Sequence, residues 1–94
     1  MYYKLRYSSR FKRQYKKLCR SGQNRIVTEL IKIMNFLADN KRLPEKNFVH
    51  KLSGEFEGFY ECHIFPDWLL IYRVYEDILV LEFVATGTHA ELFE

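Results

Sequence analysis

The chain begins with an alternation. Tyr3, Leu5 and Tyr7 fall on one side of an extended segment and Lys4 and Arg6 on the other, which predicts a strand over residues 1–7. Ser8 and Ser9 are helix-capping residues, and after them the period changes. Phe11, Tyr15 and Leu18 recur at helical spacing, one apolar stripe flanked by basic residues, until Ser21-Gly22 breaks the pattern. A second helix is predicted from about Asn24 to Asn40, burying Ile26, Leu30, Ile33 and Leu37 with help from Val27, Ile31 and Met34. Helices joined by so tight a break form an antiparallel hairpin.

Pro44 closes the helical region, and residues 41–58, punctuated by Gly54 and Gly58, read as loop. Strand patterns follow over Phe59–Phe65, Trp68–Tyr75 and Ile78–Ala85, separated by Pro66-Asp67 and by Glu76-Asp77. Thr88-His89-Ala90-Glu91 has the spacing of a capping box and predicts a short terminal helix. The fold class is therefore α+β: an N-terminal strand, a helical hairpin packed on a twisted, mostly antiparallel sheet, and a short C-terminal helix. With 94 residues, one domain over 1–94 is expected.

Composition adds a core rich in large rings, since aromatic residues make up 17% of the chain. No apolar run approaches the roughly 18 residues needed to span a bilayer, so no membrane role is expected. The first residues lack the apolar block of a secretion signal, which makes the cytoplasm the expected location. Cys19 and Cys62 lie far apart without metal-ligand spacing and are expected as free thiols.

Charge changes the picture more. The formal net charge is only +3, but residues 1–28 hold nine basic residues and no acid, while the rest holds six basic against twelve acidic ones. Such segregation implies a polyanionic partner at the basic end, against the plainer reading of a solvated helix face.

Candidate chemistry concentrates between His50 and Trp68. On a strand over 59–65, Phe59, Glu61, His63 and Phe65 share one face, while Tyr60, Cys62 and Ile64 form a natural core face. Arg73 and Glu82 join the first face if the register suits. The Glu61 and His63 pair admits a solvated polar face, a metal site drawing on His50, His63, His89, Glu61 and Asp67, or general acid–base catalysis. The ligand candidates are scattered along the chain, which argues against a metal. RNA cleavage is a reaction that histidine and carboxylate run without a cofactor. A base takes the ribose 2′-OH proton, an acid protonates the leaving 5′-oxygen, and Lys51 or Arg73 steadies the charge on phosphorus. No phosphate-binding glycine loop or serine nucleophile elbow points to another enzyme class.

The ordered motifs His50-x-Leu52-x-Gly54-x-Phe56-x-Gly58, Glu61-Cys62-His63-Ile64-x-Pro66-Asp67-Trp68-Leu69-Leu70-Ile71-Tyr72 and Thr86-Gly87-Thr88-His89-Ala90-Glu91-Leu92-Phe93 resemble YafQ-type toxins of the RelE/ParE superfamily. The resemblance covers about half the chain as motif; the first half agrees in layout. It implies a toxin of a type II toxin–antitoxin system, a ribosome-dependent, metal-independent mRNA endonuclease acting without a cofactor. The implied partners are the ribosome with its mRNA and an antitoxin of the ribbon-helix-helix kind, through which alone the complex would contact operator DNA. Carried over residue by residue, the implied catalytic set is His50, Glu61, His63, Asp67 and His89, with Trp68 and Phe93 stacking on or packing beside an mRNA base. Lys12, Arg13, Lys16, Lys17 and Arg20 would grip ribosomal RNA phosphate. Alternatives remain: a ParE-like toxin that inhibits DNA gyrase and cleaves nothing, or a nucleic-acid-binding module with an inert sheet face.

Overall fold

A computed structural model describes residues 1–94. The elements follow the order β1 (Lys4–Tyr7), α1 (Ser9–Arg20), α2 (Asn24–Ala38), β2 (His50–Lys51), β3 (Phe59–Phe65), β4 (Trp68–Tyr75), β5 (Val80–Gly87) and α3 (His89–Phe93). They build one five-stranded sheet in the order β1-β5-β4-β3-β2, antiparallel except where β1 runs parallel to β5. The predicted α+β architecture is thus the one observed.

Local chemistry accounts for the junctions. The Ser8 side chain accepts the Phe11 N–H at 2.9 Å and donates to the Val84 carbonyl at 2.6 Å, so a single cap starts α1 and ties it to β5. Phe11 and Leu18 are the residues α1 buries, as their spacing requires. α2 ends at Ala38, two residues short of the expected Asn40, which has left the helix with a φ of 57°. β5 begins at Val80 rather than Ile78, because Leu79 takes a left-handed φ of 50° and extends the turn. Thr88 and Glu91 form the expected capping box of α3.

The two faces of the sheet are covered unequally. The hairpin of α1 and α2 packs through Leu18, Leu30 and Ile33 onto Cys62, Ile64, Leu70, Tyr72, Leu81 and Phe83. On the opposite face only α3 and the segment before β3 cover a smaller cluster of Leu69, Ile71, Ala85 and Leu92. The rest of that face, along β3, is open to whatever approaches.

The 41–58 segment, expected as loop or irregular structure, is mostly irregular with short elements inside it. It holds 3₁₀ turns at Glu45–Asn47 and Gly54–Phe56 with the strand β2 between them. Gly58, at a φ of 92°, makes the sharp entry into β3 that a side chain would resist.

Candidate active site

Alternation along β3 turns Cys62 and Ile64 into the hairpin core and leaves Glu61 and His63 on the sparsely covered face. The third member comes from β2. Its register sets His50 opposite Glu61, so two residues eleven positions apart in the chain become cross-strand neighbours.

One carboxylate oxygen organises the cluster. Glu61 Oε1 lies 3.1 Å from His50 Nε2, a hydrogen bond, and 3.7 Å from His63 Nε2, an ion-pair distance once His63 is protonated. The Glu61 side chain is only 9% exposed, against 51% for His50 and 27% for His63, so a near-buried acid holds two imidazoles that solvent and substrate can reach. A carboxylate so placed fixes the orientation of both rings. Cys62 takes no part: burial, then the nearby Glu61 charge, pushes its thiol up to about 12, and it faces the hairpin core.

The other candidates lie around this trio at different removes. Asp67 is exposed in the turn between β3 and β4, at the end of β3 where His63 stands. His89 opens α3 two residues after Gly87; Gly87 pairs with Leu69, and Leu69 with His63. That path crosses two strand spacings, about 10 Å, so His89 occupies the opposite bank of the face. Its ring lies 5.1 Å from that of Phe93, which meets Phe56 edge-on at 5.8 Å.

Several predicted residues are not gathered. Lys51 pairs with Tyr60 and its Nζ lies 5.9 Å over that ring, a residue of the hairpin side. Arg73 pairs with Phe59, four residues along β3 from His63, or roughly 13 Å at strand rise. Its guanidinium lies over the Phe59 and Tyr75 rings. The register does set Arg73 and Glu82 on the face of Phe59, Glu61 and His63, as expected, but away from the trio, and Glu82 accepts the Tyr75 hydroxyl at 3.2 Å. Trp68 is 9% exposed in the hairpin core, with its indole N–H donated to Thr86 Oγ1 at 2.9 Å.

Two residues escaped the sequence reading. Phe48, 66% exposed, sets its ring edge-on to His63 at 5.6 Å. Asn47, buried, donates its side-chain amide to the His63 carbonyl at 2.7 Å. An exposed aromatic in a Pro-bounded loop was the one available signal, and it marked Phe48 alone.

The metal expectation also needs revision in one respect. His50, Glu61 and His63 are not scattered, since their ligand atoms all lie within 4.8 Å of one another. Two imidazoles and a carboxylate around one ion at ordinary bond lengths stand roughly 3.3 Å apart, close to the two distances found here. The trio could hold a transition ion; it could equally move protons.

The basic helix is exposed along Lys12, Arg13, Lys16, Lys17 and Arg20. Lys12, Arg13 and Lys16 rim a cleft of about 610 Å³ floored by Phe11, Tyr15 and Met34. Lys17 reaches the other way, its Nζ 3.9 Å from Glu91 Oε2 on α3.

Comparison with known proteins is consistent across sequence and structure. Residues 3–94 match the family described as "Bacterial toxin of type II toxin-antitoxin system, YafQ". The "mRNA interferase toxin YafQ" of Escherichia coli K12 is 37% identical over 83 residues, covering 85% of this chain and 88% of that protein. The toxin in the Escherichia coli DinJ-YafQ complex superimposes with a TM-score of 0.87 at 31% identity, over 98% of this chain and 99% of that one. A metal-bound toxin from Helicobacter pylori gives a TM-score of 0.87 at 33% identity, over 99% of this chain and 100% of that one.

Proposed function

The chain belongs to the YafQ family of bacterial toxins of type II toxin–antitoxin systems, and from that membership we propose that its mRNA interferase activity is carried by Glu61 with the imidazoles of His50 and His63. The protein is a toxin and an endoribonuclease. The observation that carries the assignment of the chemistry is the single Glu61 oxygen shared between two accessible histidines.

The reaction follows from those groups. One neutral imidazole removes the proton from the ribose 2′-OH, and the 2′-oxygen attacks the adjacent phosphorus. The bond to the 5′-oxygen breaks as the other, protonated imidazole delivers a proton to it. The products are a 2′,3′-cyclic phosphate and a 5′-hydroxyl end, so protons and electrons balance without metal or cofactor. Glu61 keeps both rings aimed and steadies the imidazolium that forms. That cation also offsets the charge developing on phosphorus, a task from which Lys51 is removed by lying over Tyr60 on the hairpin side and Arg73 by standing four residues along the sheet. Arg73 then holds a flanking phosphate, Asp67 and His89 border the path of the strand, and Phe48 and Phe93 offer rings to splayed bases. Trp68 supports the site from within the core.

Lys12, Arg13, Lys16, Lys17 and Arg20 form the surface that engages ribosomal RNA, and the cytoplasm is where that encounter takes place. The restraining partner is an antitoxin of the ribbon-helix-helix kind, through which operator DNA is reached. Primer extension on a defined mRNA, with and without translating ribosomes, tests the reading alongside His63→Ala. Codon-spaced cuts that need ribosomes and vanish in the variant are expected. Cuts in naked RNA would remove the ribosome dependence, and no cuts at all would return the gyrase-inhibitor or inert-module alternatives.

A further inference from the structure

We infer that Asn47 is a positioning residue of the cleavage site, whose side-chain amide holds His63 and His50 at a fixed separation; the inference rests on the ribonuclease reading above. Asn47 is 2% exposed, an unusual situation for an asparagine. Its Nδ2 donates to the His63 carbonyl at 2.7 Å, while its Oδ1 has no hydrogen-bond partner. A buried amide that satisfies only one end is a poor stabiliser, and an aliphatic side chain of similar size would fill the space without leaving an orphaned acceptor. The value of this amide lies in what its one bond connects.

That bond joins two chain segments that each carry an imidazole. On one side is the β3 backbone at His63, next to the point where the β3–β4 register shifts, between His63 and Phe65. The ladder there is irregular, and Asn47 supplies a second hold on the residue whose ring must be aimed. On the other side is the 3₁₀ turn Glu45–Asn47, closed by the Asn47 N–H to Pro44 and the Phe48 N–H to Glu45, each at 3.0 Å. The chain leaves this turn through Phe48 in a left-handed conformation (φ 44°, ψ 56°) that a bulky side chain seldom adopts. That conformation sets the Phe48 ring against the His63 ring at 5.6 Å. Two residues further on, His50 meets Glu61 across the ladder. One hydrogen bond, spanning sixteen positions of the chain, therefore fixes the rigid turn that delivers His50 to the backbone that carries His63. Asn47 makes no hydrogen bond to either ring, so its effect is on geometry and not on the proton itself.

The test compares wild-type toxin with Asn47→Leu, which keeps the bulk and removes the donor. Asn47→Ala is the second variant should leucine not fit, and Leu30→Ala serves as a remote core control. Leu30 is fully buried on α2 and belongs to no part of the site. Four quantities are read: thermal midpoint, kcat and KM for cleavage on programmed ribosomes, and the Phe48–His63 ring cross-peaks by NMR. The expected result for Asn47→Leu is a folded protein with unchanged KM, a kcat lowered about 10- to 100-fold, and weakened ring cross-peaks. Leu30→Ala is expected to lose thermal stability while keeping kcat per folded molecule. The inference is overturned if the folded Asn47 variants keep kcat within about twofold and retain the cross-peaks. It is equally overturned if their activity merely tracks the folded fraction, as in the control. Should wild-type toxin cut nothing, the ribonuclease reading fails by itself; the cross-peaks then decide alone, and their survival in the variants overturns the hold of Asn47 on His63.

Discussion

Glu61 is opposite His50 in the β2–β3 ladder and two residues before His63 on its own strand, so one side chain reaches both imidazoles without any rearrangement of the backbone. Its carboxylate is largely withdrawn from water, which strengthens its pull on both rings. Glu61→Gln keeps the shape and removes the charge. We expect it to lower kcat by about 10²-fold, the usual scale for a lost acid–base partner, with little change in thermal midpoint. Glu61→Asp keeps the charge on a shorter arm and should retain more activity than Glu61→Gln. Single-turnover cleavage on ribosome-bound mRNA measures this, and a Glu61→Gln rate within a few-fold of wild type would reduce Glu61 to a bystander.

Trp68 gives a different signature. Its indole N–H is donated to Thr86 Oγ1, which donates in turn to the Leu69 carbonyl at 2.8 Å, while the Thr86 N–H is donated to Gln14 of α1 at 2.8 Å. Trp68→Phe leaves Thr86 Oγ1 without a donor and opens space in the core, at a cost of about 1–3 kcal/mol. The expected outcome is a lower thermal midpoint, with cleavage per folded molecule close to wild type. A large fall in kcat at unchanged stability would instead return Trp68 to the RNA.

The contrast between Trp68 and Glu61 shows how far the sequence could be read. β3 and β4 were legible at their observed limits because period-two alternation is a local signal, and it also placed Glu61 and His63 together on one face. The strand of His50 was not legible, since the two residues of β2 are too short to show an alternation. Without that strand the closeness of His50 to Glu61 is implied only by the family resemblance, and periodicity carries no trace of it. Trp68 shares the hairpin face with Leu70 and Tyr72, a placement that follows from register and from the hairpin above it. Asn47 was invisible for a similar reason: its one bond is to a backbone oxygen sixteen positions away. The parallel placement of β1 beside β5 likewise follows only from how the hairpin returns the chain.

Lys12, Arg13 and Lys16 stand on the exposed side of α1, away from the trio. If they contact ribosomal RNA phosphate, their neutralisation to Gln weakens ribosome binding and leaves the chemical step intact. Each lost phosphate contact should flatten the dependence of log affinity on log salt by about 0.7–0.9. Ribosome pelleting over a salt series, paired with kcat at saturating ribosomes, separates the effects. An unchanged salt slope would remove this helix from the ribosome contact.

Three raised pKa values predict the response to alkali. Burial and then the Glu61 charge lift the Cys62 thiol from its ordinary 9.0 to about 12. Burial and the hydrogen bond given to Glu76 lift Tyr3 from 10.0 to about 12, and burial lifts Tyr72 in the same direction. A raised pKa means that the folded state keeps a proton the unfolded state has lost, so stability present below the unfolded value falls as pH rises towards the folded one. Stability should therefore decline between about pH 9 and 12, in the window set by Cys62 and Tyr3. Cys62→Ala should blunt the decline, as followed by urea unfolding. Within the same window exposed Cys19 should react with iodoacetamide while Cys62 is spared until the fold opens.

The proximity of the three ligand atoms makes metal the last variable to test. Proton transfer by His50 and His63 needs their nitrogen lone pairs free, and a bound transition ion would occupy those same lone pairs. If the imidazoles act as acid and base, exhaustive chelation leaves kcat unchanged. If the trio instead holds a hydrolytic ion, chelation abolishes cleavage and the ion restores it. The products differ as well. Attack by the 2′-oxygen leaves a 2′,3′-cyclic phosphate, whereas a metal-bound hydroxide would leave a linear phosphate directly. Mass analysis of the cut ends after chelation therefore decides between the two chemistries: cyclic ends at full rate are the expected result, and linear ends lost on chelation would assign the trio to a metal.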